Sequence, residues 1–101
     1  MFYAGICAIA RDETPHLREW ALHHLAVGFE HIIIYDNGSR EPVRDTLACL
    51  GRLVTVLDFP EQRAPQLSAY YHCLRTYRSL SRWLAFIDID EFILPLGSRD
   101  I

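Results

Sequence analysis

The sequence contains no lysine; all ten of its basic residues are arginine. Chemistry that depends on a lysine amine, such as Schiff-base formation, is therefore excluded from this chain. The arginines are scattered along a chain of net charge −3, without the basic stripe that marks a nucleic-acid binder. No apolar run approaches the roughly 20 residues needed to span a bilayer. The start, Met-Phe-Tyr-Ala-Gly-Ile-Cys-Ala, lacks the basic segment that opens a signal peptide. A soluble, cytoplasmic chain is the expectation, an upstream segment aside. Cysteine is sparse. Cys7, Cys49 and Cys73 are odd in number and far apart, which speaks against a disulfide framework or a zinc site and predicts small buried thiols in a reducing compartment. Neither repeats nor linkers break the 101 residues, so residues 1–101 are read as one domain or a piece of one.

What is present is an alternation of short β-branched runs and helical periodicities. Tyr3 to Ala10 reads as a first buried strand. Thr14-Pro15 then opens a helix, Thr14 as cap and Pro15 at the first helical position. In that helix Leu17, Trp20, Ala21, His24 and Leu25 share one face, and Gly28 ends it. His23 and His24 are adjacent, so they point to different faces and read as a surface and a boundary residue. His31 to Tyr35, centred on three isoleucines, is the clearest strand. Pro42 to Leu50 reads as a short helix, Val54 to Phe59 as a third strand, and Gln66 to Leu80 as a third helix. The stripe of Leu67, Tyr70, Tyr71, Leu74 and Tyr77 on that helix is predicted to be mostly core. Trp83 to Ile87 reads as a fourth strand covered on both faces. The order β-α-β-α-β-α-β implies an α/β fold with an open, mainly parallel sheet.

Polar residues cluster where these strands end. The first strand stops at Arg11-Asp12-Glu13, the second at Asp36-Asn37-Gly38-Ser39, and the fourth runs into Asp88-Ile89-Asp90-Glu91. In open parallel sheets ligands bind at the carboxyl ends of the strands. A carboxylate at the end of a second strand suits a ribose hydroxyl, but the glycine-rich turn of a dinucleotide fold is missing after the first strand, which excludes a nicotinamide site. If the chain stays extended, Asp88 and Asp90 lie on one side about 7 Å apart. Carboxylates that close call for a cation, and a hard divalent ion takes oxygen ligands. Solvated turns explain each cluster taken singly, Asp-Asn-Gly-Ser being strong turn chemistry, and spacing alone does not choose between the two readings.

Three segments together resemble the GT-A glycosyltransferases, and within them the bacterial family 2-like group linked to surface polysaccharides: Ile6 to Glu13, Tyr35 to Ser39, and Phe86 to Phe92. The resemblance covers Tyr3 to Leu94. It implies a Rossmann-like nucleotide-binding half, truncated before the acceptor site, with the catalytic base expected beyond residue 101. It implies a nucleotide-diphosphate sugar, UDP-linked above all, as donor. Ala10, Arg11, Asp12, Glu13, Asp36, Asn37, Gln66 and Asp88 would bind that donor. Asp88 and Asp90 would hold Mn²⁺ or Mg²⁺, Asp88 reaching the ribose or, through water, the metal. Tyr70 matches the same helix pattern as Gln66; Arg63 reads first as a surface arginine, with a phosphate contact as the alternative. A glycan or lipid-linked molecule would be the acceptor. The isolated half is expected to have little or no transferase activity, to leave an unpaired sheet edge and an apolar patch near the fourth strand, and to self-associate there.

Two rivals remain at the level of sequence. A haloacid-dehalogenase-type phosphatase also places Asp-x-Asp after an apolar strand, but on its first strand and with a downstream basic residue, usually lysine. A non-catalytic nucleotide-binding or interaction module of the same fold would carry the same half-chain.

Overall fold

The computed structural model describes residues 1–95. The elements follow in the order β1 (Phe2–Ala10), α1 (Thr14–Ala26), β2 (His31–Asp36), α2 (Val43–Thr46), a 3₁₀ segment (Ala48–Leu53), β3 (Val54–Asp58), α3 (Pro65–Tyr77) and β4 (Ser81–Phe86). All strand pairs are parallel, and the sheet order is β3-β2-β1-β4. The fold is α/β and Rossmann-like, as the alternation of periodicities requires.

The two sheet faces are covered by different helices. On one face Ala4, Ile6 and Ala8 of β1 and Ile32 and Ile34 of β2 pack with Leu17, Trp20 and Ala21 of α1, and with Val43 and Leu47. On the other, Cys7, Ile33 and Tyr35 pack with Ala69 and Cys73 of α3. Full burial of an Ile or Leu side chain contributes about 1.5–3 kcal/mol, so the central strands β1 and β2 hold the sheet. That also explains why β2 is buried along its whole length.

The outer strands behave differently from expectation. β4 begins at Ser81, two residues earlier than predicted, and among the described residues it pairs only with β1. It is not covered on both faces: Trp83 is 64% exposed and Arg82 is exposed. Beside the β1–β4 pair lies an apolar hollow of about 480 Å³, lined by Tyr3, Phe29, Trp83 and Ile93 among others. Three local predictions also need correction. Thr14 is the first helical residue rather than the cap; Glu13 precedes the helix, and no side chain caps it. The helix predicted from Pro42 to Leu50 is one turn of α-helix followed by a 3₁₀ segment that breaks at Gly51, where φ is 54°. In α3, Leu67, Tyr71 and Leu74 face outward, while the small Ala69 and Cys73 make the contact with the sheet. Small residues let helix and sheet approach closely and turn the larger ones away. Of the cysteines, Cys7 and Cys73 are buried together, and the hydrogen bond with Cys73, reinforced by burial, pushes the Cys7 thiol well up; Cys49 is exposed.

Candidate functional site

The strand order reverses at β1: the chain moves outward through β2 to β3, then returns across α3 to place β4 on the other side of β1. A crevice opens at such a switch point, beyond the carboxyl ends of the two diverging strands. Here it is a cleft of about 340 Å³ lined by Ile9, Arg11, Glu13, Asn37, Pro65, Gln66, Asp88, Ile89 and Asp90. Six polar residues singled out from sequence therefore share one cavity, although they come from four separate segments.

Asp88 and Asp90 reach the cleft from a turn, not from an extended strand. β4 ends at Phe86, and the chain folds back so that the Glu91 N–H donates to the Asp88 carbonyl at 3.1 Å. Glu91 also closes the turn with its side chain, Oε1 accepting the Asp88 N–H at 2.8 Å. Glu91 is thereby committed to the turn. Ile89 points into the core at 2% exposure, while Asp88 and Asp90 are both exposed. The extended alternation expected for these residues is replaced by a turn with a buried apolar pin between two solvent-facing carboxylates.

Helix α1 holds the turn from below. The Trp20 indole N–H is shared between the Asp88 carbonyl at 3.1 Å and the Glu91 carbonyl at 2.9 Å. One turn further along, His24 is buried, not a boundary residue. Its Nδ1 lies 2.8 Å from the Trp20 carbonyl, and Nε2 accepts the Ile93 N–H at 3.1 Å. A ring nitrogen facing a carbonyl must carry the proton, so His24 is neutral with its proton on Nδ1. His23 Nε2 donates to the Ile93 carbonyl at 2.8 Å. Both histidines grip one residue of the segment after the acidic turn, Ile93, and Phe92 packs against both rings. Sequence reasoning missed this support. The available signal was a tryptophan and a histidine on a buried helix face, whose N–H groups need partners.

The opposite wall is built from β2 and α3. Asn37 is buried, and its Nδ2 donates to the carbonyls of Phe59 and Glu61, both at 2.8 Å, so it ties the loop before α3 to the end of β2. Gln66, in the first turn of α3, donates from Nε2 to the Tyr70 hydroxyl at 3.2 Å and to Asp88 Oδ1 at 3.4 Å. Burial raises the pKa of the Tyr70 hydroxyl, which keeps it protonated.

Three of the residues expected to contact a donor do not line this cleft. Ala10 is the buried last residue of β1, and its carbonyl accepts the Asn37 N–H at 2.8 Å. Asp36, paired with Ala10 across the sheet, is 5% exposed; its oxygens accept the N–H groups of Ser39 and Val43, each at 2.9 Å. Its immediate task is to shape the turn after β2 and to satisfy the start of α2. Asp12, at a positive φ of 57°, does not line the cleft. Its Oδ1 accepts the Arg40 N–H at 2.8 Å, and the Asp12 N–H donates to Ser39 Oγ at 3.1 Å, latching the two loops together. Arg63 is exposed in the loop before α3 and does not line the cleft.

The donor set suits a hard cation shared with a ligand. Among the described residues no group of three His, Cys, Asp or Glu side chains converges to hold an ion unaided. Asp88 and Asp90 instead offer exposed oxygens on an open cleft, and Mg²⁺-like ions commonly take one or two carboxylates and complete their shell with water and phosphate oxygens.

The family model for glycosyltransferase family 92 matches residues 4–100. The chain belongs to glycosyltransferase family 92. That corrects the expected kinship with the bacterial family 2-like group. Acidic and polar strand ends are what any nucleotide-facing sheet edge presents, so three short segments do not separate one such family from another. Among the relatives of the family 92 chain, a glycosyltransferase family 92 protein of Oryza sativa subsp. japonica is 32% identical over 99 residues, covering 95% of this chain and 17% of that protein. One from Ricinus communis is 33% identical over 96 residues, covering 91% and 17%. The galactan beta-1,4-galactosyltransferase GALS2 of Arabidopsis thaliana is 34% identical over 105 residues, covering 90% and 20%. The chain thus spans a fifth or less of the length of these relatives. No solved structure matches it. No described helix is long and apolar enough to cross a membrane.

Proposed function

We propose that this family 92 chain is the part of a glycosyltransferase that binds the sugar donor, and that the switch-point cleft receives a nucleoside diphosphate sugar. The observation that carries the reading is the convergence of Asp88, Asp90, Arg11, Glu13, Asn37 and Gln66 on one cleft at the carboxyl ends of β1 and β4. Asp88 and Asp90 would hold Mn²⁺ or Mg²⁺ against the diphosphate. Such an ion, when bound, neutralises the charge that builds on a departing diphosphate. The residues of this chain perform the positioning. Gln66 orients the Asp88 carboxylate, and Arg11 supplies a positive charge to a cleft otherwise rich in acid. The buried Asn37 fixes the wall that faces the nucleoside, and Trp20 keeps the acidic turn in one place. Relatives named as galactan galactosyltransferases support a UDP-hexose donor and a glycan acceptor.

Calorimetry with UDP, with and without Mn²⁺, tests the reading. Binding that requires Mn²⁺ and falls at least about tenfold in Asp90→Asn is expected, since one carboxylate is half of the protein's share of the ion's ligands. Absence of binding at millimolar UDP with Mn²⁺ present overturns the donor site and leaves a non-catalytic interaction module of the same fold.

A further inference from the structure

The arginines are scattered along the chain, but the acidic residues are not. From Gln62 to Ile87 there are four arginines, at 63, 75, 78 and 82, and no aspartate or glutamate; all 13 acidic residues lie outside this stretch. A chain of net charge −3 therefore carries one wholly cationic segment, and it consists of α3, its entry loop and β4. None of these four arginines pairs with a carboxylate among the described residues.

The same segment displays apolar side chains. Leu67 is 58% exposed, Tyr71 56% and Leu74 43%. At helical pitch Leu67, Tyr71, Leu74, Arg75 and Arg78 fall within an arc of roughly 100°. That arc points away from the sheet, because Ala69 and Cys73 on the opposite side make the buried contact. Arg82 stands on the same side of the sheet as α3, since it alternates with Trp83 and Ala85, and Ala85 packs on the α1 face. Helix α3 thus presents an outward row of two leucines and a tyrosine, with arginines along its carboxyl-terminal half.

We propose that this outward face of α3 docks on an anionic lipid surface. Charge complementarity sets the sign of the partner: only an anionic surface gains from four uncompensated arginines. The apolar row selects a bilayer over a merely acidic polymer. Leucine and tyrosine enter the boundary between headgroups and acyl chains, while long arginine side chains keep their guanidinium groups at the phosphates. The helix need not fold on arrival, because its other face is already fixed to the sheet. Docking is peripheral and is independent of the donor-site reading, although Pro65 and Gln66 in the first turn of α3 line the cleft.

The test is co-sedimentation of the chain with vesicles of phosphatidylcholine alone and of phosphatidylcholine with phosphatidylserine at about 7:3. Wild type, Arg75→Glu/Arg78→Glu and Leu67→Ser/Leu74→Ser are compared, with circular dichroism to show that each variant is folded. All four substituted side chains are exposed, so the fold is expected to survive. The expected result is at least about tenfold stronger binding to the anionic vesicles, weakened by added salt and largely lost in both variants. Equal binding to neutral vesicles, no binding to either, or binding unchanged in both variants overturns the proposal. So does charge-dependent capture by polyglutamate without vesicle binding, which would assign the face to an acidic protein instead.

Discussion

The Trp20 indole N–H lies 3.1 Å from the Asp88 carbonyl and is shared with the Glu91 carbonyl at 2.9 Å. A core residue of α1 thereby determines where the acidic turn stands in the cleft. The bond links a helix that contributes no residue to the cleft lining to the turn that carries Asp88 and Asp90.

Trp20→Phe keeps an aromatic ring in the core but removes the N–H together with part of the ring volume, leaving two partly buried carbonyls short of a donor and a void beside them. A loss of about 1–3 kcal/mol in urea unfolding is expected. The amides of Asp88 to Glu91 should also exchange faster with solvent than in wild type, because the turn has lost its anchor. Unchanged stability and unchanged exchange would show that the indole bond is incidental.

His24 and His31 give the fold a pH dependence of definite sign. Burial lowers the pKa of both below the ordinary histidine value. Between the folded and unfolded values the unfolded chain binds more protons, so stability rises with pH. The contribution from neutral histidine is fully present above the unfolded value near 6.5 and is lost as pH falls through the depressed folded values. For His24 the structural reason is direct: Nε2 accepts the Ile93 N–H and cannot do so once protonated. His31 Nε2 meets Thr55 Oγ1 at 2.8 Å, while its buried Nδ1 has no partner among the described residues. Urea midpoints at pH 7.5 should exceed those at about pH 5.5. His24→Gln should flatten the profile and His24→Gln/His31→Gln should flatten it further; a steeper profile in either variant contradicts this assignment.

Much of this was legible in the sequence, and the limits have physical causes. The order of elements follows from periodicity, which each segment carries within itself: three isoleucines identify β2, and the Leu17, Trp20, Ala21 spacing identifies α1. The strand ends showed which residues could meet, because parallel strands put their carboxyl ends on one edge. Strand order is a different kind of fact. Nothing local to Trp83 reports that β4 lies outermost, so a β-branched and aromatic run looked buried and is not. Outward-facing Leu67, Tyr71 and Leu74 mimic a core stripe for the same reason. The partner of Trp20 lies 68 residues away, beyond any periodicity. Asp36 and Asp12 were identified as polar strand-end residues correctly, but sequence does not reveal that their oxygens face backbone N–H groups and not the cleft.

Asp36→Asn separates a structural from a ligand-facing role for that residue. The carboxylate accepts two backbone N–H groups, and an amide can accept only with its oxygen, so one N–H must face an NH₂ group. A loss of about 2 kcal/mol is expected, as for a hydrogen bond to a buried charge. Faster amide exchange should be confined to Ser39 and Val43 and their neighbours. Wild-type stability in the variant would mean that the turn after β2 does not depend on the carboxylate.

Gly5→Ala tests the close approach of the two strands that flank the switch point. A Cβ on Gly5 would stand 2.6 Å from Ser81 Oγ, 3.4 Å from Ser81 Cβ and 3.5 Å from Leu84 Cδ1. Only the first contact is prohibitive, and Ser81 is 7% exposed, so its hydroxyl has little room to turn. Gly5→Ala alone should destabilise by about 1–3 kcal/mol. In a Ser81→Ala background the offending oxygen is gone and the remaining contacts are near ordinary van der Waals distance. The same substitution should then be close to neutral, giving a coupling energy of about 1 kcal/mol or more in a double-mutant cycle. Additive effects in that cycle would place the strain of Gly5→Ala elsewhere than at Ser81.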